Sequence, residues 1–268
     1  MCGIVGFTGR ENALPILIKG LYSLEYRGYD SAGIAAFTRG GLRVVKTQGR
    51  ISNLEEKIQE EGGLDCTCGI GHTRWATHGE PSDRNSHPHL GGRDGKGKVA
   101  VVHNGIIENY KDLRESLEAH GYTFQSETDT ETVAHLVDYL HTGKQEDLAQ
   151  TVLSAVQRIR GSYALGVVSM DNPEEIVAAR RDNPLVIGIG EGENMIASDI
   201  TAIISRTKKY IILDDNEVAI VRPDSVVVMN EFGDVVEKAF QTVNWDLSAA
   251  EKGGYQHFML KEIMEQPK

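Results

Sequence analysis

The sequence predicts an α+β fold in which antiparallel sheets are covered by helices. Three observations carry this. Helical and extended segments alternate without the strand–helix–strand rhythm of a parallel sheet, two early strands are joined by a short glycine-rich turn, and nearly every segment from Ser162 to Met229 reads as a short strand. With 268 residues, 40% hydrophobic and 25% charged, the chain can form one large domain or two small ones around a sizeable core. Its 28 Lys and Arg against 39 Asp and Glu leave a net charge of −11, which argues against nucleic acid or an anionic membrane as a partner over the whole surface. A local anion pocket stays open. No apolar run approaches the ~18 residues of a membrane span. Cys2, Cys66 and Cys68 are too few for a disulfide framework, and no basic segment precedes an apolar leader, so the expected compartment is the cytoplasm.

Taken in order, the opening Cys2-Gly3-Ile4-Val5-Gly6-Phe7 reads as a strand. Leu14, Leu17, Leu21 and Leu24 give helical spacing over 12–24, which Arg27-Gly28-Tyr29-Asp30 breaks. Segments 32–37 and 42–46 form a hairpin through Thr38-Arg39-Gly40-Gly41, and 51–59 a short helix stopped by Gly62-Gly63. A strand over 66–73 leads into His72-Thr73-Arg74-Trp75-Ala76-Thr77-His78-Gly79, and 79–97 read as a long loop, which compact domains seldom carry without a functional reason. A buried strand over 98–103 stops at Asn104-Gly105. Asn109 is the expected cap of a helix running to Ala119, with Leu113 and Leu117 facing inward. Thr128 and Glu131 have capping-box spacing before Val133, Leu136, Val137 and Leu140, and 147–159 form a third helix. Strands follow at 163–170, 176–180, 185–189, 195–197, 218–221 and 226–229, interrupted by a short helix at 200–204. The end, a turn at 252–255 and a helical segment from His257 to Pro267, reads as a linker rather than a finished terminus.

Cys2 is the residue around which chemistry can be built. If Met1 is removed, it carries a thiol and a free α-amine with a reference pKa of roughly 7.7 to 8.0, a nucleophile and a usable general base on one residue. Direct proton transfer between them would need a strained ring, so a bridging water is expected. A small apolar cysteine in a buried strand remains the alternative. Acyl chemistry also needs oxyanion donors and a means of holding substrate. Asn104-Gly105 supplies a side-chain amide and an unhindered backbone N–H, although Asn-Gly is equally a hairpin signal. Arg74 can clasp a carboxylate by two parallel hydrogen bonds, or form a surface ion pair. Asp129 can hold an ammonium group, or serve the macrodipole of its helix. The five histidines between 72 and 103, with Cys66 and Cys68, lack paired ligand spacing, so no metal is expected. Neither a complete dinucleotide fingerprint nor a P-loop is present, and no cofactor is expected.

Together CGIVGF, LEYRGYDSAG at 24–33, GHTRWATHG at 71–79, HNGIIENY at 103–110 and SETDTE at 126–131 resemble, in order and spacing, the class II glutamine amidotransferases. Within them the match is to the glutaminase domain of the glutamine:fructose-6-phosphate amidotransferases. The resemblance spans essentially the whole chain, with 1–250 as the glutaminase domain and 251–268 as the start of a linker to a sugar-phosphate isomerase domain. It implies an N-terminal nucleophile hydrolase fold, a four-layer αββα sandwich. It implies Cys2 as nucleophile, Asn104 and Gly105 as oxyanion hole, Arg74 on the glutamine carboxylate with Thr77 and His78 nearby, Asp129 on its ammonium and Trp75 closing over the site. Arg27 and His87 are carried as further substrate-side residues. The implied reaction is hydrolysis of L-glutamine to glutamate and ammonia. The ammonia would serve conversion of fructose 6-phosphate to glucosamine 6-phosphate in the further domain, within a protein that is a homodimer at full length. The alternatives are another class II amidotransferase, or a non-catalytic glutamine sensor if the N-terminus stays blocked.

Overall fold

The computed structural model describes residues 2–93, 97–141 and 147–244, with Leu260, Ile263 and Met264 as helical positions beyond them. The expected turn at 252–255, most of the terminal helical segment and the boundary at residue 250 lie outside the described residues.

Two antiparallel sheets form the centre. The first contains β1 (Gly3–Thr8), β2 (Ser31–Thr38), β3 (Gly41–Gln48), β4 (Cys68–Arg74), β9 (Val186–Ile189), β10 (Asn194–Ala197), β11 (Lys209–Ile212) and β15 (Gln241–Thr242), ordered β15-β11-β9-β10-β1-β4-β2-β3. The second contains β5 (His89–Leu90), β6 (Val99–Ile107), β7 (Gly161–Ser169), β8 (Asn172–Arg181), β12 (Val218–Arg222), β13 (Ser225–Met229) and β14 (Val235–Val236), ordered β14-β13-β12-β8-β7-β6-β5.

Strand periodicity explains the layers. In β1, Ile4 points into the core between the sheets with Ile70, Val102, Ala164 and Ile196, while Val5 and Phe7 point the other way. There they meet Leu17 and Leu21 of α1 (Ala13–Ser23), in a core shared with Ile51, Leu54 and Ile58 of α2 (Ile51–Glu60). On the far face of the second sheet, Val99, Val101, Leu165 and Val167 pack with α3 (Tyr110–Ala119), α4 (Asp129–Leu140) and α5 (Leu148–Val156). The result is a helix–sheet–sheet–helix sandwich with three apolar cores. Helix α4 is buried from Asp129 to Val137 because α3 and α5 flank it and β6 lies beneath. Truncating a fully buried member such as Leu54 to Ala would cost roughly 2–5 kcal/mol.

Caps follow side-chain chemistry in most places. Asn12 accepts from Leu14 N at 3.1 Å, Asp147 from Ala149 N at 3.0 Å and Thr128 from Glu131 N at 3.4 Å. Two details differ from the sequence reading. Asn109 does not cap α3: its amide accepts from Arg160 N and donates to Arg158 O, both at 2.9 Å, tying the helix start to the turn before β7. The capping box is half formed, because the Glu131 carboxylate takes Gln125 N and Ser126 N instead of the Thr128 amide. The expected loop over 79–97 contains the short β5, and β11, β14 and β15 were not foreseen. At two residues each, β5, β14 and β15 are too short to show a period.

Candidate active site

The register of β1 brings the two ends of the sequence pattern together. Gly3 pairs with Thr73, and Ser31 pairs with Arg74, so Cys2, one residue before β1, sits at the sheet end where Arg74 finishes β4. Gly3 is needed for this approach, since a Cβ there would lie 2.6 Å from Thr73 Oγ1 and 2.9 Å from Leu24 Cδ1. The Cys2 thiol accepts from Trp75 N at 3.2 Å and donates to Trp75 O at 3.6 Å. Its carbonyl accepts from Arg27 Nη1 and from Asn104 Nδ2, each at 3.3 Å. Arg27 is fixed in turn by Ser198 Oγ at 3.1 Å and by Asp199 at 3.3 Å.

Burial pushes the Cys2 thiol up from its ordinary pKa, while the Trp75 amide and the charge of Arg74 pull it back. The thiolate therefore needs a base.

Asn104 does not end its strand as the sequence reading had it. β6 continues to Ile107, with Asn104 opposite Ala164 and Gly105 opposite Tyr163. The Asn-Gly pair is thus a distortion inside a strand and not a turn. Gly105 adopts φ of +134°, and a Cβ there would sit 2.1 Å from Ser162 O, so this position requires glycine. Asp129, at the first turn of α4, accepts from Ile107 N at 2.8 Å, which ties α4 to the end of β6.

Arg74 is 4% exposed and its Nη2 donates to the carbonyls of His78 and Gly79, the latter at 3.0 Å. Its Nη1 is buried and has no protein hydrogen-bond partner. The guanidinium is close enough to Cys2, Asp30 and Asp129 to feel the charge of each.

The expected residues thus divide. Arg27, Trp75 and Asn104 each bond directly to Cys2, Arg74 precedes Trp75 in the chain and is tied to Asp30, His78 and Gly79, and Asp129 reaches the group through Ile107 and the charge of Arg74. Trp75 is 53% exposed and lies over Gly28, where a Cβ would come within 2.7 Å of its ring. Thr77 is exposed, and His78 lends its carbonyl to Arg74 while its ring meets Tyr110 edge-on at 5.8 Å. His87 stands one layer back, stacked on His72 at 4.2 Å and edge-on to His89 at 5.0 Å.

Several residues that build the site were not singled out. Asp30 donates its N–H to Arg74 O at 2.8 Å and accepts from Ala76 N at 2.5 Å, so it grips the chain on both sides of Trp75. His72 Nε2 meets Asn104 Oδ1 and His103 O, both at 3.0 Å. Ser198 accepts from Ile4 N at 3.0 Å. Asp30, His72 and His103 lie within the motifs of the sequence reading. Only Ser198 left no signal there, since its role arises from β10 pairing with β1.

A family model described as "Glutamine amidotransferase domain" matches residues 72–205. The glutamine–fructose-6-phosphate aminotransferase (isomerizing) of Caldanaerobacter subterraneus subsp. tengcongensis is 55% identical over all of this chain, and that of Methanosarcina acetivorans 50% over 99%. The chain spans 43% of the length of each. Among solved structures, the glutamine phosphoribosylpyrophosphate amidotransferase of B. subtilis, complexed with ADP and GMP, superposes with a TM-score of 0.71 at 28% identity, over 87% of this chain and 50% of its own.

Proposed function

The chain belongs to the glutamine amidotransferase family, and from that premise we propose that it hydrolyses L-glutamine, with Cys2 as nucleophile once Met1 is removed. The observation that carries this reading is Arg74: a buried guanidinium whose Nη1 has no protein partner, within electrostatic reach of Cys2 and Asp129. A buried cationic donor is costly until an anion accepts from it, and a substrate α-carboxylate supplies one. Asp129 then meets the α-ammonium, and Cys2 lies at the far end of the same amino acid. Gly105 N–H and Asn104 Nδ2 serve the oxyanion. Arg27 steadies the Cys2 carbonyl, His78 holds Arg74, His87 supports from behind, and Thr77 and Trp75 form the rim.

In the first step the thiol proton passes to the free α-amine of Cys2, and sulfur bonds to the carboxamide carbon. The carbonyl π pair moves to oxygen. Collapse breaks the C–N bond, and nitrogen leaves as ammonia with the proton returned by the amine. Water then adds to the thioester, sulfur leaves as the thiol, and glutamate is released.

In the longer protein that the relatives represent, the ammonia would pass to fructose 6-phosphate and yield glucosamine 6-phosphate, and the assembly would be a homodimer. All three cysteines are free thiols, Cys66 and Cys68 buried, which fits a reducing cytoplasm. No helix among the described residues is long and apolar enough to cross a membrane.

Glutamate release by wild type, Cys2→Ala and Arg74→Ala tests the reading. Cys2→Ala should lose all measurable activity, and Arg74→Ala should raise KM for glutamine far more than it lowers kcat. Activity in Cys2→Ala, or an unchanged KM in Arg74→Ala, contradicts the proposal.

A further inference from the structure

An asparagine amide is nearly symmetric in shape, so which end faces Cys2 is decided only by its partners. If Asn104 presented oxygen there, two acceptors would oppose each other at the nucleophile, and a developing oxyanion would meet a lone pair instead of a donor. What fixes the amide is His72.

His72 Nε2 lies 3.0 Å from the carbonyl oxygen of His103, which can only accept. The proton must therefore sit on Nε2. The same N–H faces the Asn104 side chain at 3.0 Å, so that end of the amide must be Oδ1. Nδ2 is left directed at the Cys2 carbonyl oxygen at 3.3 Å.

The ring itself is confined: His72 is 0% exposed and stacks on His87 at 4.2 Å. Its Nδ1 has no hydrogen-bond partner. With the proton on Nε2, that unpaired atom is a bare lone pair rather than a buried N–H, the less costly arrangement. His72 lies on β4 of the first sheet and Asn104 on β6 of the second, so this contact also aligns the sheet bearing the nucleophile with the sheet bearing its donor.

We propose that His72 is a positioning residue: its neutral Nε2–H tautomer, set by the His103 carbonyl, holds the Asn104 amide with nitrogen toward the reacting centre. The inference rests on the glutaminase reading above. His72 touches no substrate and transfers no proton.

The experiment compares wild type, His72→Gln and His72→Leu, each with Cys2 as first residue. It measures kcat and KM for glutamine, and inhibition by open-chain glutamate γ-semialdehyde and by glutamate. The aldehyde accepts the Cys2 sulfur at its carbonyl carbon and places an oxyanion where the reaction does, whereas glutamate occupies the clamp without one. His72→Leu should lose about 10- to 100-fold in kcat and in aldehyde affinity, bounded by the 10²–10³-fold of deleting an oxyanion donor, with glutamate affinity unchanged. His72→Gln, whose Nε2 donor reaches a similar place, should recover most of both. Equal loss of glutamate and aldehyde binding, or undiminished kcat in His72→Leu, overturns the assignment. A wild type that releases no glutamate overturns the glutaminase reading instead. Independently of how the variants fold, imidazole ¹⁵N shifts of the wild-type protein should show His72 neutral with its proton on Nε2 from about pH 5 to 8. A proton on Nδ1, or an imidazolium in that range, also overturns it.

Discussion

Arg74 and Trp75 are neighbours in sequence and opposites in setting: one is 4% exposed at the end of β4, the other 53% exposed just beyond it. The site changes character at that peptide bond. Below it lies a floor of Arg74, Asn104, Asp129 and His72, all buried and held by strand register and inter-sheet hydrogen bonds. Above it lies a rim of Trp75, Ala76 and Thr77, held by Asp30 and by the two carbonyls that Arg74 grips. A floor built on paired strands keeps donors at fixed positions, which transition-state stabilisation requires. A rim held by a few bonds can let substrate pass.

The contrast is broken most severely at Asn104. Asn104→Ala should lower kcat on the order of 10²–10³-fold, read by glutamate release, while glutamate inhibition stays unchanged. Next comes Gly105→Ala, whose new Cβ would meet Ser162 O at 2.1 Å in a backbone conformation unsuited to alanine. It should destabilise the fold by about 2–3 kcal/mol in urea denaturation.

Acid should attack the floor as well. Burial holds His72 down to about 3, and His87 and His89 are also held well below their ordinary value by burial. In the unfolded chain each takes a proton near 6.5, so the unfolded state binds more protons as pH falls. The stability these groups allow is complete above about pH 6.5 and lost as pH falls below it, for His72 on descent toward 3 at about 1.4 kcal/mol per pH unit. Urea midpoints at pH 7.5 and 5.5 should show the fall, and equal midpoints would contradict it.

How much of this division could be read from residues alone differs between the two parts. Strand and helix periodicity located β1, the β2–β3 hairpin, β6, β7 and all five helices, because each buries a regular face. It could not show that β6 runs through Asn104-Gly105, since the local signal for a turn is the same Asn-Gly pair. The distortion becomes visible only when Ser162 is seen against Gly105. Resemblance brought together Cys2, Arg74, Asn104 and Asp129 from four separate segments. It said nothing of the bonds between them, which depend on which sheet each strand joins. Thus nothing in their motifs marks out His72 and Asp30, and His87, expected on the substrate side, packs against His72.

The rim gives smaller effects. Asp30→Asn keeps the shape but alters the grip on Ala76 N, and should reduce kcat/KM about tenfold with stability changed by less than ~1 kcal/mol. Loss of stability without loss of kcat/KM would move Asp30 from the rim's anchor to a purely structural role. Trp75→Ala, at the exposed end of the scale, should leave the urea midpoint within the ~0.5 kcal/mol typical of surface changes. A large shift there would dissolve the distinction between floor and rim.

The proposed role of Cys2 is that of a nucleophile whose base is its own α-amine. It is tested most directly by sorting the protein by intact mass into chains with and without Met1 and assaying each for glutamate release. The chain that begins at Cys2 should hydrolyse glutamine, and the chain that keeps Met1 should not. Equal activity in both would contradict it.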